Sequence, residues 1–160
     1  MSAVYWPPGH EPASAAVNQV NTARSTAGPR AVWVWLARPD RWEAYYRNVR
    51  RVRHLGGPWP ELALGSRFSW TTFNVPVTTE VTDCEPFGRL AWSAQGRGLR
   101  AHHVWLLTSC EDGGTEIYTQ ETQHGAVPRL LWPVILPAMR RMHQQWVDGL
   151  SEIAATGRQP

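Results

Sequence analysis

The sequence predicts an α+β domain in which a curved antiparallel sheet of about seven strands wraps around one long C-terminal helix. Five segments between residues 66 and 124 alternate apolar and polar side chains and are separated by short connectors. Residues 127–155 then carry apolar side chains at a spacing of three or four, as an amphipathic helix does. A helix with one apolar face must pack against another apolar surface, which the sheet supplies.

The bulk composition is that of a single domain with one core. The chain has 160 residues, 42% of them hydrophobic, and ten are tryptophan. Residues 1–15 are rich in proline and small side chains, so we expect a flexible N-terminal tail there and a folded domain over residues 16–156.

A first strand over residues 16–23 is followed by two short helices. Ser25 or Thr26 can cap the first helix, and Pro29 is tolerated in its first turn because the amide hydrogen that proline lacks would be unpaired there. Pro39 ends that helix and opens the second. The first helix is expected to carry Val32, Trp35 and Leu36 inward. On the second, Trp42, Tyr45 and Tyr46 either close one mouth of a cavity or belong to the core.

Six further strands follow, over residues 49–55, 67–73, 75–85, 89–95, 99–108 and 115–124. Connectors such as Asn74 and Asp112-Gly113-Gly114 are too short for crossover units, so neighbouring strands are expected to be antiparallel.

The closing helix is predicted to bury one stripe, made of Leu131, Ile135, Ala138, Met142, Trp146 and Leu150. Pro133 and Pro137 are expected to shape its first turns. A sheet that curves more than this helix can fill leaves a cavity, so the architecture favours a container for a small molecule.

The charge pattern does not indicate a nucleic-acid partner. The net charge is +3, and every basic residue is arginine, which a GC-rich genome explains more simply than nucleic-acid or anionic-lipid binding. One cluster stands out, at Arg47, Arg50, Arg51 and Arg53. It either attracts an acidic carrier protein or anionic substrate, or it is a solvated strand edge.

The sequence contains few features that indicate a cofactor or a cellular compartment. Cys84 and Cys110 lack the spacing of a zinc site or a disulfide framework, and we expect no metal and no cofactor. The N-terminus does not look like a secretory leader, and the apolar stretch 130–139 is too short to cross a bilayer. We therefore expect a cytoplasmic protein without stable membrane insertion.

Several short segments, distinctive as a set, carry a family resemblance. They are Ala31-Val32-Trp33, Pro39-Asp40-Arg41-Trp42, Val49-Arg50-Arg51-Val52, Gly65-Ser66-Arg67-Phe68, Glu85-Pro86, Arg89-Leu90-Ala91-Trp92, Gly114-Thr115 and Glu121-Thr122. Over residues 16–155 the chain resembles the polyketide cyclase/dehydrase and lipid-transport family of the SRPBCC (START/Bet v 1-like) superfamily. The resemblance implies a helix-grip fold with a deep pocket for a small hydrophobic molecule, aromatic or polyketide-like.

Strand alternation selects the polar residues that would face such a pocket. His103 shares its side of the strand with Trp105 and points inward, whereas His102 points outward; Glu121 shares its side with Ile117. We predict His103 and Glu121 as a catalytic pair. The predicted ligand-binding residues are His54, Trp70, Trp92, Trp105, Tyr45, Trp42, Met142, Ile135 and Ala138.

Three functions remain open at this point. A buried imidazole beside a carboxylate suits proton transfer in enolisation, aldol cyclisation or dehydration. The same pair can instead satisfy its own hydrogen bonds in a non-catalytic carrier or sensor of a lipid or other hydrophobic ligand. A weaker third hypothesis is a protein-interaction or stress-response role with a vestigial pocket, and a homodimer is also left open.

Overall fold

A computed structural model describes residues 4–160. Its sheet has seven strands, all paired antiparallel, in the order β1-β7-β6-β5-β4-β3-β2. The elements in chain order are β1 (Val17–Ser25), α1 (Pro29–Leu36), β2 (Arg50–Gly56), β3 (Arg67–Thr72), β4 (Val75–Glu85), β5 (Arg89–Gly96), β6 (Leu99–Ser109), β7 (Thr115–His124) and α2 (Ala126–Ala155).

The predicted fold class is confirmed, with element ends within about two residues of those expected from the pattern. The second short helix, Pro39–Ala44, is a 3₁₀ helix. Another 3₁₀ turn, Pro12–Ser14, precedes β1. Short proline-started segments of this kind commonly adopt the tighter helix, since they have few turns over which to establish α-helical hydrogen bonds.

The second half of α2 packs into an aromatic core. The Trp146 ring lies 5.0 Å from the Trp42 ring and 5.0 Å from the Trp105 ring, and it stacks on Tyr46 at 4.2 Å. All four side chains are at most 1% exposed. Tryptophan therefore fills this end of the interior, and any open space must lie under the first half of α2.

The first half of α2 is only partly covered. Leu130, Leu131, Trp132 and Val134 are 78%, 50%, 52% and 72% exposed. The buried face of α2 consists mainly of Met139, His143, Trp146, Val147, Leu150 and Ala154. The predicted stripe is thus right at Trp146 and Leu150 and wrong at Leu131, because the first turns of the helix cover a cavity instead of a filled core.

The N-terminal segment lies against the outer face of the sheet. The Trp6 ring is 5.5 Å from the His102 ring, and the Thr122 hydroxyl donates a hydrogen bond to the His10 carbonyl oxygen at 2.9 Å. His102 points away from His103, as alternation predicts, yet it is only 1% exposed because this segment covers it. The flexibility expected of residues 1–15 stays a prediction, and residues 1–3 lie outside the described part of the chain.

β2 forms one edge of the sheet, and its pairing with β3 is irregular. The register shifts twice, between Arg50 and Arg53 and between His54 and Gly56, and Arg51 has a φ of +56°. Arg47, Arg50, Arg51 and Arg53 are all exposed. Within residues 4–160 no helix has the length and apolar character needed to cross a membrane.

Candidate functional site

A cavity of about 300 Å³ lies between the first half of α2 and the inner face of the sheet. Its walls are mostly apolar, with Trp70 and Trp92 on the sheet side and Leu131, Ile135 and Ala138 on the helix side. The polar residues that line it are Thr72, His103, Glu121, Gln123 and His143.

Three of these polar residues form a buried cluster. His103 and Glu121 are direct cross-strand neighbours on β6 and β7, and His143 reaches them from α2. His103 Nδ1 lies 3.1 Å from Glu121 Oε2, and His143 Nε2 lies 3.6 Å from the same oxygen. The two imidazole rings stack with centroids 5.0 Å apart and planes inclined by 17°. The cluster therefore brings two ring nitrogens to one carboxylate oxygen.

Neighbouring side chains fix the orientation of the cluster. Gln123 Nε2 donates to Glu121 Oε1 at 2.7 Å, which leaves Oε2 to face the histidines. The Thr119 hydroxyl donates to the Val104 carbonyl oxygen at 3.0 Å and lies 2.6 Å from His103 Nε2. Because a hydroxyl has one hydrogen to donate, Thr119 must accept from His103 Nε2–H. His103 Nδ1 is therefore the nitrogen that faces Glu121.

The cluster carries a buried negative charge. Burial alone would raise the pKa of Glu121, but the neighbouring imidazoles of His103 and His143 and the Gln123 amide together lower it below its ordinary value. Burial lowers the pKa of His143 to about 4, even though Glu121 opposes this. At neutral pH, Glu121 is thus ionised and His143 is neutral.

The structure brings most of the predicted pocket residues to the cavity wall. His103, Glu121, Trp70, Trp92, Ile135 and Ala138 all line it. The sheet residues lie there because their strands keep regular alternation through the cavity. Their roles in binding or catalysis stay predictions.

Five predicted ligand-binding residues lie elsewhere. Trp42 and Trp105 are fully buried in the aromatic core, and the Trp42 indole donates to the Leu36 carbonyl oxygen at 2.9 Å. The Tyr45 hydroxyl donates to the Trp35 carbonyl oxygen at 3.2 Å. Met142 is half-buried and packs against the same core. These four side chains are used to hold the helices on the sheet.

His54 is the fifth, and the inward orientation predicted for it is wrong. It is exposed, stacks on Trp59 with ring centroids 5.2 Å apart, and contacts the Gly57 carbonyl oxygen through Nε2 at 3.1 Å. The register shifts in β2 break the alternation from which its orientation was predicted.

Sequence reasoning missed His143. It follows Met139 by four residues and precedes Trp146 by three, so it continues the buried face of α2. The predicted stripe ran through Ala138 and Met142, one position out of phase with Met139 and His143. A stripe centred on Trp146 and Leu150 and extended towards the N-terminus would have included this histidine.

Comparison with known proteins identifies the fold. No family model and no curated protein matches the chain. Among solved structures, a hypothetical protein from Helicobacter pylori superposes with a TM-score of 0.87 at 28% identity, covering 96% of this chain and 97% of the other. Ara h 8.0201 superposes with a TM-score of 0.66 at 12% identity, covering 87% of this chain and 97% of the other. The chain has the Bet v 1-like fold.

Another structural neighbour is a putative protein from a biosynthetic locus. DynU16, from the dynemicin biosynthetic locus, superposes with a TM-score of 0.65 at 16% identity. The match covers 89% of this chain and 48% of DynU16. At this identity the likeness shows a shared helix-grip fold, as the sequence resemblance implied.

Proposed function

We propose that this Bet v 1-like protein binds a small hydrophobic molecule, aromatic or polyketide-like, in its cavity. The observation that carries the proposal is the apolar cavity of about 300 Å³ with polar side chains converging at one place in its wall. The indole rings of Trp70 and Trp92 offer flat surfaces for a ring system. The cluster of His103, Glu121 and His143 would receive the polar group of the ligand.

The first half of α2 supplies a route into the cavity. Leu131 and Val134 line the cavity and are also 50% and 72% exposed, so the same side chains contact both the interior and solvent. An apolar ligand could pass between them without crossing a polar layer. This supports a carrier or sensor that exchanges its ligand with the surroundings.

A cavity-filling variant tests the proposal. The probe is 1-anilinonaphthalene-8-sulfonate, whose fluorescence rises in an apolar site. Ala138→Phe would place a ring in the cavity, whereas Ala155→Phe makes the same change at an exposed position of the same helix. We expect saturable binding to the wild type and Ala155→Phe, and at least tenfold weaker binding to Ala138→Phe. Equal binding by all three proteins would overturn the assignment of the cavity as the ligand site.

A second candidate function is proton transfer on the bound molecule, leading to cyclisation or dehydration. It is favoured by the 3.1 Å approach of the His103 imidazole to the Glu121 carboxylate at the wall of an apolar cavity. In this role Glu121 would accept a proton from a carbon next to a carbonyl group. The lowered pKa of Glu121 makes it a weak proton acceptor at neutral pH, which is why binding without chemistry is the leading proposal.

Deuterium exchange separates the two candidates. Acetophenone, a small aromatic ketone, is incubated with the protein in deuterated buffer, and loss of its methyl proton signal is followed by NMR. Catalysis requires exchange faster than in buffer, abolished by Glu121→Gln and retained in Glu80→Gln, where the carboxylate is exposed on β4. Exchange at the buffer rate would leave only the binding function for this class of ligand.

A further inference from the structure

We propose that His103 Nδ1, Glu121 Oε2 and His143 Nε2 bind a divalent transition-metal ion. One ligand atom from each of the three residues lies within 4.8 Å of the other two. The sequence predicted no metal, because Cys84 and Cys110 lack the ligand spacing of a zinc site. The third ligand comes from α2, where sequence spacing along β6 and β7 could not reveal it.

The two distances from the carboxylate oxygen to the histidine nitrogens are close to those between ligands of one metal ion. Bonds of about 2.0–2.1 Å to nitrogen and oxygen place neighbouring ligand atoms about 2.9 Å apart in an octahedron and about 3.3 Å apart in a tetrahedron. The observed separations from Glu121 Oε2 are 3.1 Å to His103 and 3.6 Å to His143. The two histidine nitrogens lie within 4.8 Å of each other, and binding would draw them together around the ion.

The hydrogen-bond network leaves the required atoms free. Thr119 accepts from His103 Nε2–H, so Nδ1, when it carries no proton, points its lone pair towards the carboxylate. His103 Nδ1 is fully buried, and its approach to Glu121 is not aligned as a hydrogen bond. A positive charge between this lone pair and the carboxylate would be attracted by both. A metal ion at this point satisfies both groups.

Thr119 and Gln123 also resemble the supporting partners of known metal sites. Ligating histidines usually donate their second ring hydrogen to a fixed acceptor, and ligating carboxylates accept a further hydrogen bond. Thr119 does the former for His103, and Gln123 does the latter for Glu121.

The donor set selects the kind of ion. Two imidazoles and one carboxylate suit zinc, iron(II), cobalt or manganese, whereas calcium and magnesium prefer oxygen ligands alone. Because the three residues line the cavity, the remaining coordination positions would face its interior. An ion there would bind the polar group of a ligand directly. Because it would also occupy Glu121 Oε2, the same carboxylate could not act as the proton acceptor while the ion is bound.

Cobalt binding tests the site. Tag-free protein is stripped with chelator and titrated with Co²⁺, which is followed by visible absorption. We expect one ion per chain, with binding at least tenfold weaker in His143→Asn and in Glu121→Gln. His124→Gln and Glu80→Gln serve as matched controls, because His124 is a buried histidine on the outer face of the sheet. Both controls should bind Co²⁺ as the wild type does.

Thr119→Val provides a second test that keeps every ligand in place. Loss of the acceptor at His103 Nε2 should weaken binding by about 10- to 100-fold. Circular dichroism checks that each variant folds, and if a ligand variant does not fold, the Thr119→Val result decides. Absence of stoichiometric binding, or equal binding in folded His143→Asn or Thr119→Val, would overturn the metal site. The dye measurement is independent of the ion, so the two proposals can fail separately.

Discussion

Glu121 places a negative charge in an interior otherwise dominated by tryptophan and aliphatic side chains. Such a charge is tolerated only when positive or hydrogen-bonding groups surround it. Here the Gln123 amide donates a hydrogen bond to one carboxylate oxygen, and ring nitrogens of His103 and His143 lie within 3.6 Å of the other. The chemistry of the cavity therefore depends on a contact between the sheet and α2.

Two buried histidines should make the protein less stable in mild acid. Burial lowers the pKa of both His102 and His143 to about 4, against 6.5 for the free side chain. Above pH 6.5 both are neutral in the folded and unfolded states. Between pH 6.5 and 4 the unfolded state takes up protons first, so the free energy of unfolding should fall by up to about 3 kcal/mol per histidine. Below about pH 4.5, protonation of Glu121 in the unfolded state adds to the loss.

Urea denaturation at pH 7, 6, 5 and 4 measures this dependence. His102→Asn should reduce the slope between pH 6.5 and 4, while His54→Gln, at an exposed position, should leave it unchanged. A free energy of unfolding that is constant from pH 7 to pH 5 would contradict the buried, neutral state of these histidines.

Individual site residues were predictable where strands are regular. His103 and Glu121 follow from alternation along β6 and β7, which pair without a register shift. His54 was misplaced because the register shifts in β2 cannot be recognised from residue types. His143 was missed because a helical stripe read from apolar residues alone excludes a buried imidazole.

At the scale of elements, Gly149 allows α2 to approach the segment that follows the 3₁₀ helix. A Cβ atom at this position would collide with the carbonyl oxygen of Tyr45. Alanine is normally the better helix former, by up to about 1 kcal/mol, so sequence propensity alone predicts a gain from Gly149→Ala. The structure predicts a loss of about 1–3 kcal/mol, because the helix would have to move away from its packed partner.

Urea denaturation distinguishes these opposite expectations. Gln145→Ala, at an exposed position of the same helix, is the control and should change stability by less than about 0.5 kcal/mol. A stabilising Gly149→Ala substitution would mean that α2 and Tyr45 are less closely packed than described.

The strands and helices themselves were predictable because the turn residues and the hydrophobic patterns between them indicate the same elements. Short connectors and period-two patterns specify antiparallel neighbours, and the observed strand order follows from them for β2 to β7. The pairing of β1 with β7 joins residues about 100 positions apart. No local signal encodes that pairing, so it could not be predicted from the strand and turn patterns.

At the scale of the whole molecule, the N-terminal segment adds a layer on the outer face of the sheet. Trp6 covers His102, while the neighbouring Tyr5 is 65% exposed. We expect Trp6→Ala to lower the free energy of unfolding by about 1–2 kcal/mol, since it uncovers a buried face, and Tyr5→Ala to have little effect.

Thermal and urea unfolding of the two variants provide the measurement. Equal, small effects would show that the segment does not contribute to the folded domain, as expected for the flexible tail that the composition predicts. A larger loss for Trp6→Ala would mark residues 4–16 as part of the domain.

The irregular, arginine-bearing edge strand has a consequence for the behaviour of the protein in concentrated solution. An open strand edge can template hydrogen bonding with another molecule and so start fibril growth. In β2, two register shifts interrupt the row of free backbone groups, and exposed guanidinium groups repel an identical edge. We therefore expect this edge of the sheet to resist pairing with the same edge of a second molecule, even at high protein concentration.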